Sequence, residues 1–322
     1  CIASSGLMLD QVPTSAAAWQ DSDFDGLVDA WAADCDSTCQ SDSGLVLDAY
    51  LNDTDNDGTT NDNDSDDNDD GITDVDADSD GLIEISTLAQ LDAIRYQLDG
   101  SGYRATSDAA LDQSGCPFIV YQGSYQQRCS GYELSNDLDF DTNQDGVMDI
   151  NDDYWNASGE GIGEGWVSIG TYSSSISTPF TGIFEGNGHV ISNLYINRPS
   201  TDFVGLFGYI NNAQIRQLGL SGSLMSVTGD DYVGGLAGYV YTNNQIIGSY
   251  NTGSVTGDDY VGGLAGYVYT NNQITASYNT GSVTGSDDYV GGLAGYVRDG
   301  NQITASYNTG SVTGSGSYVG GL

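Results

Sequence analysis

The strongest constraint on the fold is a segment that returns at a nearly fixed interval. Tyr232–Val240 recurs as Tyr260–Val268 and Tyr289–Val297, and its first five residues begin again at Tyr318. These starts are 28, 29 and 29 residues apart, and a degenerate copy, Phe203–Ile210, precedes them. A fixed period of this size indicates a solenoid, in which each repeat buries its apolar face only against its neighbours.

Each repeat has the pattern of short β-strands. Leu236, Gly238 and Val240 alternate with Ala237 and Tyr239, a period of two residues. Turn-forming Asn and Gly separate this run from further β-branched residues. The pattern predicts two or three strands per coil in an all-β fold, a right-handed parallel β-helix with coils about 4.8 Å apart.

The repeat period also predicts which side chains stack on one another. Equivalent apolar residues of successive coils should form columns inside the solenoid. The two clearest columns are Leu236 with Leu264 and Leu293, and Ile246 with Ile274 and Ile303.

The repeat resembles the GLUG motif, named for a Gly-Leu-small-Gly core. That core is present as Gly235–Gly238, Gly263–Gly266 and Gly292–Gly295. The resemblance covers roughly residues 203–322. It implies a large secreted or surface protein of a bacterium, often adhesin-like, and it carries no catalytic residues to this chain.

The charge of the chain restricts its partners. Asp and Glu number 46 against six Arg and no Lys, for a formal net charge of −40. Nucleic acids and anionic membrane surfaces would be repelled, so neither is expected as a partner. Cations are the expected partners, and the absence of Lys excludes Lys-based catalysis.

Five Asp-rich blocks carry oxygen-bearing side chains at positions 1, 3, 5 and 9 and Gly at position 6. This is the chemistry of a Ca²⁺ loop, because a hard cation needs six to eight oxygen ligands and a sharp Gly turn lets the loop surround it. Position 7 would contribute its backbone carbonyl. The predicted ligands are Asp21, Asp23, Asp25, Leu27 and Asp29 in block 1; Asp53, Asp55, Asp57, Thr59 and Asn61 in block 2; Asp66, Asn68, Asp70, Ile72 and Asp74 in block 3; Asp76, Asp78, Asp80, Leu82 and Glu84 in block 4; and Asp141, Asn143, Asp145, Val147 and Asp149 in block 5.

None of the blocks has the Glu that an EF-hand carries at position 12, so they are not complete EF-hands. They resemble the shorter calcium repeats of thrombospondin type 3 and of related bacterial surface linkers, which implies a calcium-loaded stalk. A disordered acidic tract stays open as the alternative for residues 52–70.

The five cysteines divide into two local pairs and one remainder. Cys35 and Cys39 are close in sequence, Cys116 and Cys129 flank a loop, and local disulfides would leave Cys1 alone. Cys1 resembles the lipidated first residue of a bacterial lipoprotein. Two other interpretations stay open: Cys1 is an arbitrary start, or it forms a different disulfide.

The segment between the blocks and the repeats contains an amphipathic helix. Thr87 and Gln90 form a capping-box pattern, and apolar residues spaced from Leu88 to Leu98 share one face. We expect this helix to cap the end of the β-helix. The predicted organisation is a tether at 1–20, an Asp-rich stalk at 21–84, the helix and a disulfide-closed excursion at 85–130, and the β-helix at 131–322 with GLUG-type repeats from about 203.

No motif indicates catalysis. His189 is the only histidine, and a lone His beside a turn is more often structural than catalytic. The Asp pairs that begin at Asp230, Asp258 and Asp287 should stack at turns, where solvent or calcium would screen them. Tyr239 and its equivalents could contact sugars or proteins, or form a structural ladder.

The sequence therefore predicts a calcium-stabilised, non-enzymatic structural or adhesive protein. Its expected location is extracellular or on the outer surface of a bacterium, with membrane attachment only through a lipid on Cys1. Expected partners are calcium and either further copies of the chain or host and matrix glycans. Two alternatives stay open: a subunit of a self-assembling extracellular fibre, and a polysaccharide-active lyase or hydrolase of β-helix fold.

Overall fold

The structure is a computed structural model that describes residues 27–33, 35–43, 45–47, 74–156, 163–173 and 175–322. The chain divides into two compact units. The first comprises residues 1–81 and 113–127, and the second comprises residues 82–112 and 128–322.

The first unit contains a short helix, α1, at Ser37–Ser43. The Asp36 side chain caps its start, because Oδ1 accepts hydrogen bonds from the backbone N–H groups of Thr38 and Cys39, each at 3.0 Å. Cys35 and Cys39 form the disulfide that their spacing predicted. This disulfide joins the start of α1 to the residue before its cap.

The first unit also contains an antiparallel hairpin. Strand β2 (Phe118–Tyr121) pairs with β3 (Ser124–Gln127). Gln122 and Gly123 form the turn, and both have a positive φ, +50° and +81°. This combination matches the right-handed twist of the two strands.

The second unit consists of five parallel sheets, one for each side of a coil. With strands numbered along the chain, the seven-stranded sheet contains β1 (Leu82–Ile85), β4 (Gly131–Leu134), β6 (Ile183–Glu185), β10 (Gln214–Arg216), β15 (Gln245–Ile247), β20 (Gln273–Thr275) and β25 (Gln302–Thr304). The six-stranded sheet contains β5 (Leu138–Asp139), β7 (Val190–Ser192), β11 (Gly219–Ser221), β16 (Tyr250–Asn251), β21 (Tyr278–Asn279) and β26 (Tyr307–Asn308). The five-stranded sheet contains β8 (Tyr195–Asn197), β12 (Ser226–Thr228), β17 (Ser254–Gly257), β22 (Val283–Gly285) and β27 (Val312–Gly314).

Two four-stranded sheets complete the coil. One contains β13 (Val233–Gly234), β18 (Val261–Gly262), β23 (Val290–Gly291) and β28 (Val319–Gly320). The other contains β9 (Phe207–Ile210), β14 (Ala237–Thr242), β19 (Ala265–Thr270) and β24 (Ala294–Val297). One full coil therefore carries five strands rather than two or three, because strands of only two residues pair between closely spaced turns.

The register of the coils confirms the predicted parallel β-helix. Ile246 pairs with Ile274, and Ile274 pairs with Ile303. In the other predicted column, the N–H of Leu236 donates to the carbonyl of Leu264 at 3.0 Å. Identical residues therefore occupy identical places in successive coils, and each coil completes the backbone hydrogen bonds of the next.

The parallel stack begins at β1, ahead of the start predicted at residue 131. Ile83 and Ile85 of β1 are buried, and β1 pairs in register with β4. Residues 82–84 therefore serve as a strand of the solenoid as well as positions 7 to 9 of block 4.

Helix α2 (Leu88–Ala93) follows β1 and continues as a single 3₁₀ turn, Ile94–Tyr96. The predicted capping box is present, since Gln90 N–H donates to Thr87 Oγ1 at 3.2 Å and Thr87 N–H donates to Gln90 Oε1 at 3.1 Å. Leu91 and Ile94 are fully buried. The predicted apolar face is thus buried at Leu91 and Ile94, whereas Leu88 is half-buried and Leu98 lies beyond the end of the 3₁₀ turn.

Buried asparagines form ladders along the repeats. Asn251 donates from Nδ2 to Oδ1 of Asn279, and Asn279 donates in the same way to Asn308, both at 2.9 Å. A second ladder joins Asn244 to Asn272 at 2.9 Å and continues into the next coil. An amide suits such a column because it donates on one side and accepts on the other.

The second Gly of each Gly-Gly pair makes room for one of these ladders. A Cβ built on Gly263 would lie 2.3 Å from Cγ of Asn279, and one on Gly292 would lie 2.2 Å from Nδ2 of Asn308. Any side chain at these positions would displace the amide column. The second Gly is therefore required by packing against asparagine, whereas a Cβ on the first, Gly262, would lie 2.0 Å from the carbonyl oxygen of Ala265.

Candidate metal centre

Block 5 is fully described and forms a tight loop in the second unit. Oδ1 of Asp141 accepts the N–H of Asp145 at 3.2 Å, and Oδ2 accepts the N–H of Gly146 at 3.0 Å. Asn143 Oδ1 also accepts the N–H of Asp145, at 3.0 Å. Gly146, at the position where a sharp turn was predicted, has φ +82°. The side chains at positions 1 and 3 thus fix the backbone conformation of the loop.

Block 4 shows the same local pattern within the first unit. Oδ2 of Asp76 accepts the N–H of Gly81 at 2.9 Å, and Oδ1 of Asp78 accepts the N–H of Asp80 at 3.2 Å. Gly81 has φ +92°. An oxygen of Asp78 lies within 4.8 Å of an oxygen of Asp76 and within 4.8 Å of one of Asp80. Three carboxylates therefore gather around position 3.

The two blocks share their internal hydrogen bonds, although positions 1 to 6 of block 4 lie in the first unit and block 5 lies in the second. In both, the position 1 carboxylate accepts from the Gly at position 6, and the position 3 side chain accepts from position 5. The remaining ligand positions of block 4, Leu82 and Glu84, lie in strand β1 of the second unit. The same spacing of oxygens and Gly thus produces the same turn in two settings.

Sequence reasoning missed a carboxylate in block 5. Asp152 occupies position 12 counted from Asp141, where only Glu was considered. Its side chain is buried, with Oδ1 accepting the N–H of Thr142 at 2.8 Å and Oδ2 accepting that of Asp149 at 2.9 Å. Allowing Asp as well as Glu at position 12, where EF-hands place a bidentate ligand, would have found it.

The donor set of block 5 fits a hard divalent cation. Its side chains offer carboxylate and amide oxygens, the ligand type that Ca²⁺ prefers. No three carboxylates of the described loop 141–152 lie within 4.8 Å of one another. Asp145 and Asp149 each direct Oδ1 to a backbone N–H, of Val147 and Asn151 respectively.

The other predicted ligands are described only in part. Leu27 and Asp29 of block 1 and the buried Asp74 of block 3 lie within the described residues. The predictions for Cys1, for Asp21, Asp23 and Asp25, for the whole of block 2, and for Asp66, Asn68, Asp70 and Ile72 lie outside them. Cys116 and Cys129 are buried, and both are disulfide-bonded.

The acidic turns of the repeats stack as predicted. Asp231 Oδ1 accepts the N–H of Asp259 at 3.1 Å, and Asp259 Oδ1 accepts that of Asp288 at 2.6 Å. Burial is the main cause that raises the pKa of Asp231 and of Asp259, and neighbouring carboxylates raise it further. The carboxylate column is therefore held together by backbone donors at an electrostatic cost.

Aromatic rings form a second kind of column on the repeats. Tyr232, Tyr260, Tyr289 and Tyr318 stack with centroids 4.8, 5.0 and 4.9 Å apart and ring planes within 5° of parallel. Burial, with Tyr232 and Asp259 nearby, raises the pKa of Tyr260 to about 12. Because each ring covers the faces of its neighbours, this column presents ring edges and hydroxyls. In the column for which sugar contact or a structural ladder was predicted, Tyr239 packs edge-to-face on Tyr267 at 5.4 Å and Tyr267 stacks on Tyr296 at 5.0 Å, and these ring contacts favour the ladder.

His189 lies at the edge of the second unit beside Asp137. Its Nδ1 is 3.1 Å from Oδ1 of Asp137, which also accepts the N–H of Val190 at 2.9 Å. The hydrogen bond from the Val190 N–H is the main cause that lowers the pKa of Asp137, and the hydrogen bond with His189 lowers it further. This pairing anchors one carboxylate and does not by itself form a catalytic set.

Comparisons with known proteins give partial matches. No protein-family model matches the chain. It is 35% identical over 139 residues to halomucin of Haloquadratum walsbyi, and 38% identical over 81 residues to a protein of Evansella cellulosilytica provisionally described as a Gly-rich membrane protein. These matches cover 43% and 24% of this chain but only 1% and 9% of the respective relatives.

Among solved structures, the chain is similar to one provisionally described as an immunoglobulin A1 protease from Bacteroides ovatus. The TM-score is 0.46 at 20% identity, over 73% of this chain and 59% of that one. A likeness of this size supports no inference about activity. Across the described residues, no helix is both long and apolar enough to cross a bilayer.

Proposed function

We propose that this chain is part of a calcium-stabilised extracellular surface protein whose β-solenoid presents a rigid, repetitive face for adhesion. The observation that carries the calcium assignment is the hydrogen-bond pattern shared by blocks 4 and 5. In both, the side chains that would hold the ion already fix the loop. Asp141, Asn143, Asp145 and Asp149 would hold it in block 5, together with the carbonyl of Val147 and the carboxylate of Asp152.

Calcium would supply charge neutralisation at these loops. The chain carries a net charge of −40 and no Lys, so few of its carboxylates can find a cationic side chain. A divalent ion gathers several carboxylates at once and offsets their repulsion. Loading of the blocks would therefore stabilise the Asp-rich segment.

The solenoid supplies the rigidity that an adhesive scaffold needs. Backbone ladders join successive coils, and two asparagine ladders and a tyrosine stack run through the repeats. Each coil contacts mainly its neighbours, so length can grow without a larger core. The two relatives, one provisionally described as a Gly-rich membrane protein and the other named halomucin, support a surface location.

Calorimetry with CaCl₂ tests the calcium assignment. Titration into chelator-treated protein should show uptake at more than one site, and calcium should raise the melting temperature. Mg²⁺ at the same concentration serves as the comparison, because its stricter octahedral geometry suits a flexible oxygen loop less well. Absence of calcium uptake would refute this part of the proposal.

Adhesion requires its own test, on calcium-loaded protein immobilised on a surface. Retention of cells or matrix glycans by monomeric protein supports the adhesive role. Regular filaments under the electron microscope, lost with chelator, would instead favour the fibre subunit. Release of unsaturated, ultraviolet-absorbing sugars from polysaccharide would favour a lyase.

A further inference from the structure

An open cleft of about 760 Å³ lies in the second unit, beside block 5. One wall is formed by the residues that begin α2, from Ser86 to Ala89. The other walls are formed by 136–139, by residues of block 5 including Asp141, and by Asp153 and Tyr154. This volume is far larger than a bare ion requires and falls in the range of small-molecule sites.

Two carboxylates of the cleft, Asp137 and Asp139, are each held in place through one oxygen. Oδ1 of Asp137 accepts the N–H of Val190 and is hydrogen-bonded to Nδ1 of His189. Asp139 uses Oδ1 for the N–H of Asp141 at 3.0 Å and for Nδ2 of Asn193 at 2.8 Å. Each side chain is therefore oriented before any ligand arrives, and its Oδ2 remains available as an acceptor.

The aromatic wall of the cleft is also held in place. Tyr154 donates from its hydroxyl to the carbonyl of Leu88 at 3.1 Å. Its ring packs against Phe140 and Trp166, with centroids 5.7 and 5.4 Å away. A half-buried ring anchored in this way offers a stable surface to the C–H face of a ligand.

The lining excludes one large class of ligands. It contains the carboxylates of Asp137, Asp139, Asp141 and Asp153, together with amide and hydroxyl groups, and it contains no Arg or His. Anionic ligands such as uronic or sulfated sugars would be repelled. Carboxylate and amide oxygens next to an aromatic ring are suited to the hydroxyl groups and C–H faces of uncharged sugars.

We infer that this cleft binds a neutral saccharide through adjacent hydroxyl groups, with Asp137, Asp139 and Asp153 as acceptors. The inference deepens the proposed adhesive function and rests on it, because it names the chemical class of the adhesive ligand. Asp141 both lines the cleft and holds position 1 of block 5. Calcium in that block would therefore stiffen one wall.

The test is saturation-transfer NMR on calcium-loaded full chain, with methyl glycosides of galactose, mannose and N-acetylglucosamine as probes. Glucuronate serves as the anionic comparison and spermidine as the cationic one. We expect at least one neutral glycoside to bind and glucuronate not to bind. The inference would be overturned if no neutral glycoside binds, or if spermidine is the only probe that binds.

Matched variants place the binding in the cleft. Asp153→Ala removes a carboxylate that makes no side-chain hydrogen bond in the structure, so folding should be preserved. This substitution should lower the affinity for the glycoside by about tenfold. Asp108→Ala removes an exposed carboxylate outside the cleft lining and should leave affinity unchanged. Equal affinity in both variants would refute the site.

Calcium uptake measured on the same samples separates the two proposals. If calcium binds and no glycoside does, the saccharide inference fails while the calcium-stabilised scaffold stands. If a glycoside binds with equal affinity in chelator and without calcium uptake, the cleft stands and the calcium assignment fails.

Discussion

Replacing Asn279 by Ala tests whether the asparagine ladders hold the solenoid together. Asn279 is fully buried. Its Oδ1 accepts from Asn251 and from the N–H of Gly281, and its Nδ2 donates to Asn308 and to the carbonyl of Gly281. Four hydrogen bonds therefore depend on one amide.

The expected cost follows from the groups left behind. Nδ2 of Asn251 still donates to the carbonyl of Gly253, and Oδ1 of Asn308 still accepts the N–H of Gly310. The buried N–H and carbonyl of Gly281 instead lose the partners that Asn279 provides. At about 1–3 kcal/mol for each buried unsatisfied group, the loss is about 4 kcal/mol. This is a large share of the stability of a typical domain.

The measurement is urea unfolding followed by circular dichroism at fixed calcium concentration. Urea is preferred to guanidinium because a salt would screen the −40 charge and change stability on its own. Thr280→Ala, at the exposed neighbour, should shift the unfolding free energy by no more than about 0.5 kcal/mol. If Asn279→Ala is as mild as Thr280→Ala, the ladder does not stabilise the fold and the reasoning is wrong.

Three further predictions concern the loops and the columns. Asp152→Ala should lower the calcium affinity of block 5 by at least about tenfold in calorimetry, whereas Asp153→Ala should leave it unchanged. Equal calcium affinities of the two variants would exclude Asp152 as a ligand. Tyr260→Ala should lower stability by about 2 kcal/mol through two lost ring stacks, while Tyr260→Phe keeps them; equal melting temperatures for the two variants would contradict this. The raised pKa values of Asp231 and Asp259 mean that the folded state binds protons more tightly than the unfolded state. In chelator, the melting temperature should therefore rise as pH falls from 7 towards the unfolded value of 3.8, and replacing both by Asn should flatten that rise.

The coils could be predicted because their signal is redundant. The interval of 28 or 29 residues places each Ile of the Ile246 column over the next, and the structure pairs them in register. The capping box at Thr87 and Gln90 was predictable for a similar reason, since it depends on residues three apart. Local patterns and sequence repeats can be recognised without any knowledge of tertiary contacts.

Other features depend on partners that are distant in sequence. Asn251 occurs in an Asn-Thr-Gly segment typical of a turn, and only stacking shows that its amide is buried in a ladder. Strand β1 has four residues and was counted within block 4, because its pairing with β4 spans a long separation. Asp152 is a different case, because Asp stands at position 12 where an EF-hand carries Glu.

In-register stacking has opposite consequences for amides and for carboxylates. An asparagine column satisfies itself, because every amide both donates and accepts. A carboxylate can only accept, so Asp231 takes the backbone N–H of Asp259 and gains no relief from the carboxylate above it. The register that builds the Asn251 ladder therefore also creates the acidic column. A proton, salt or divalent cation must offset that repulsion, which links the stability of the repeats to the ions that the Asp-rich blocks are proposed to bind.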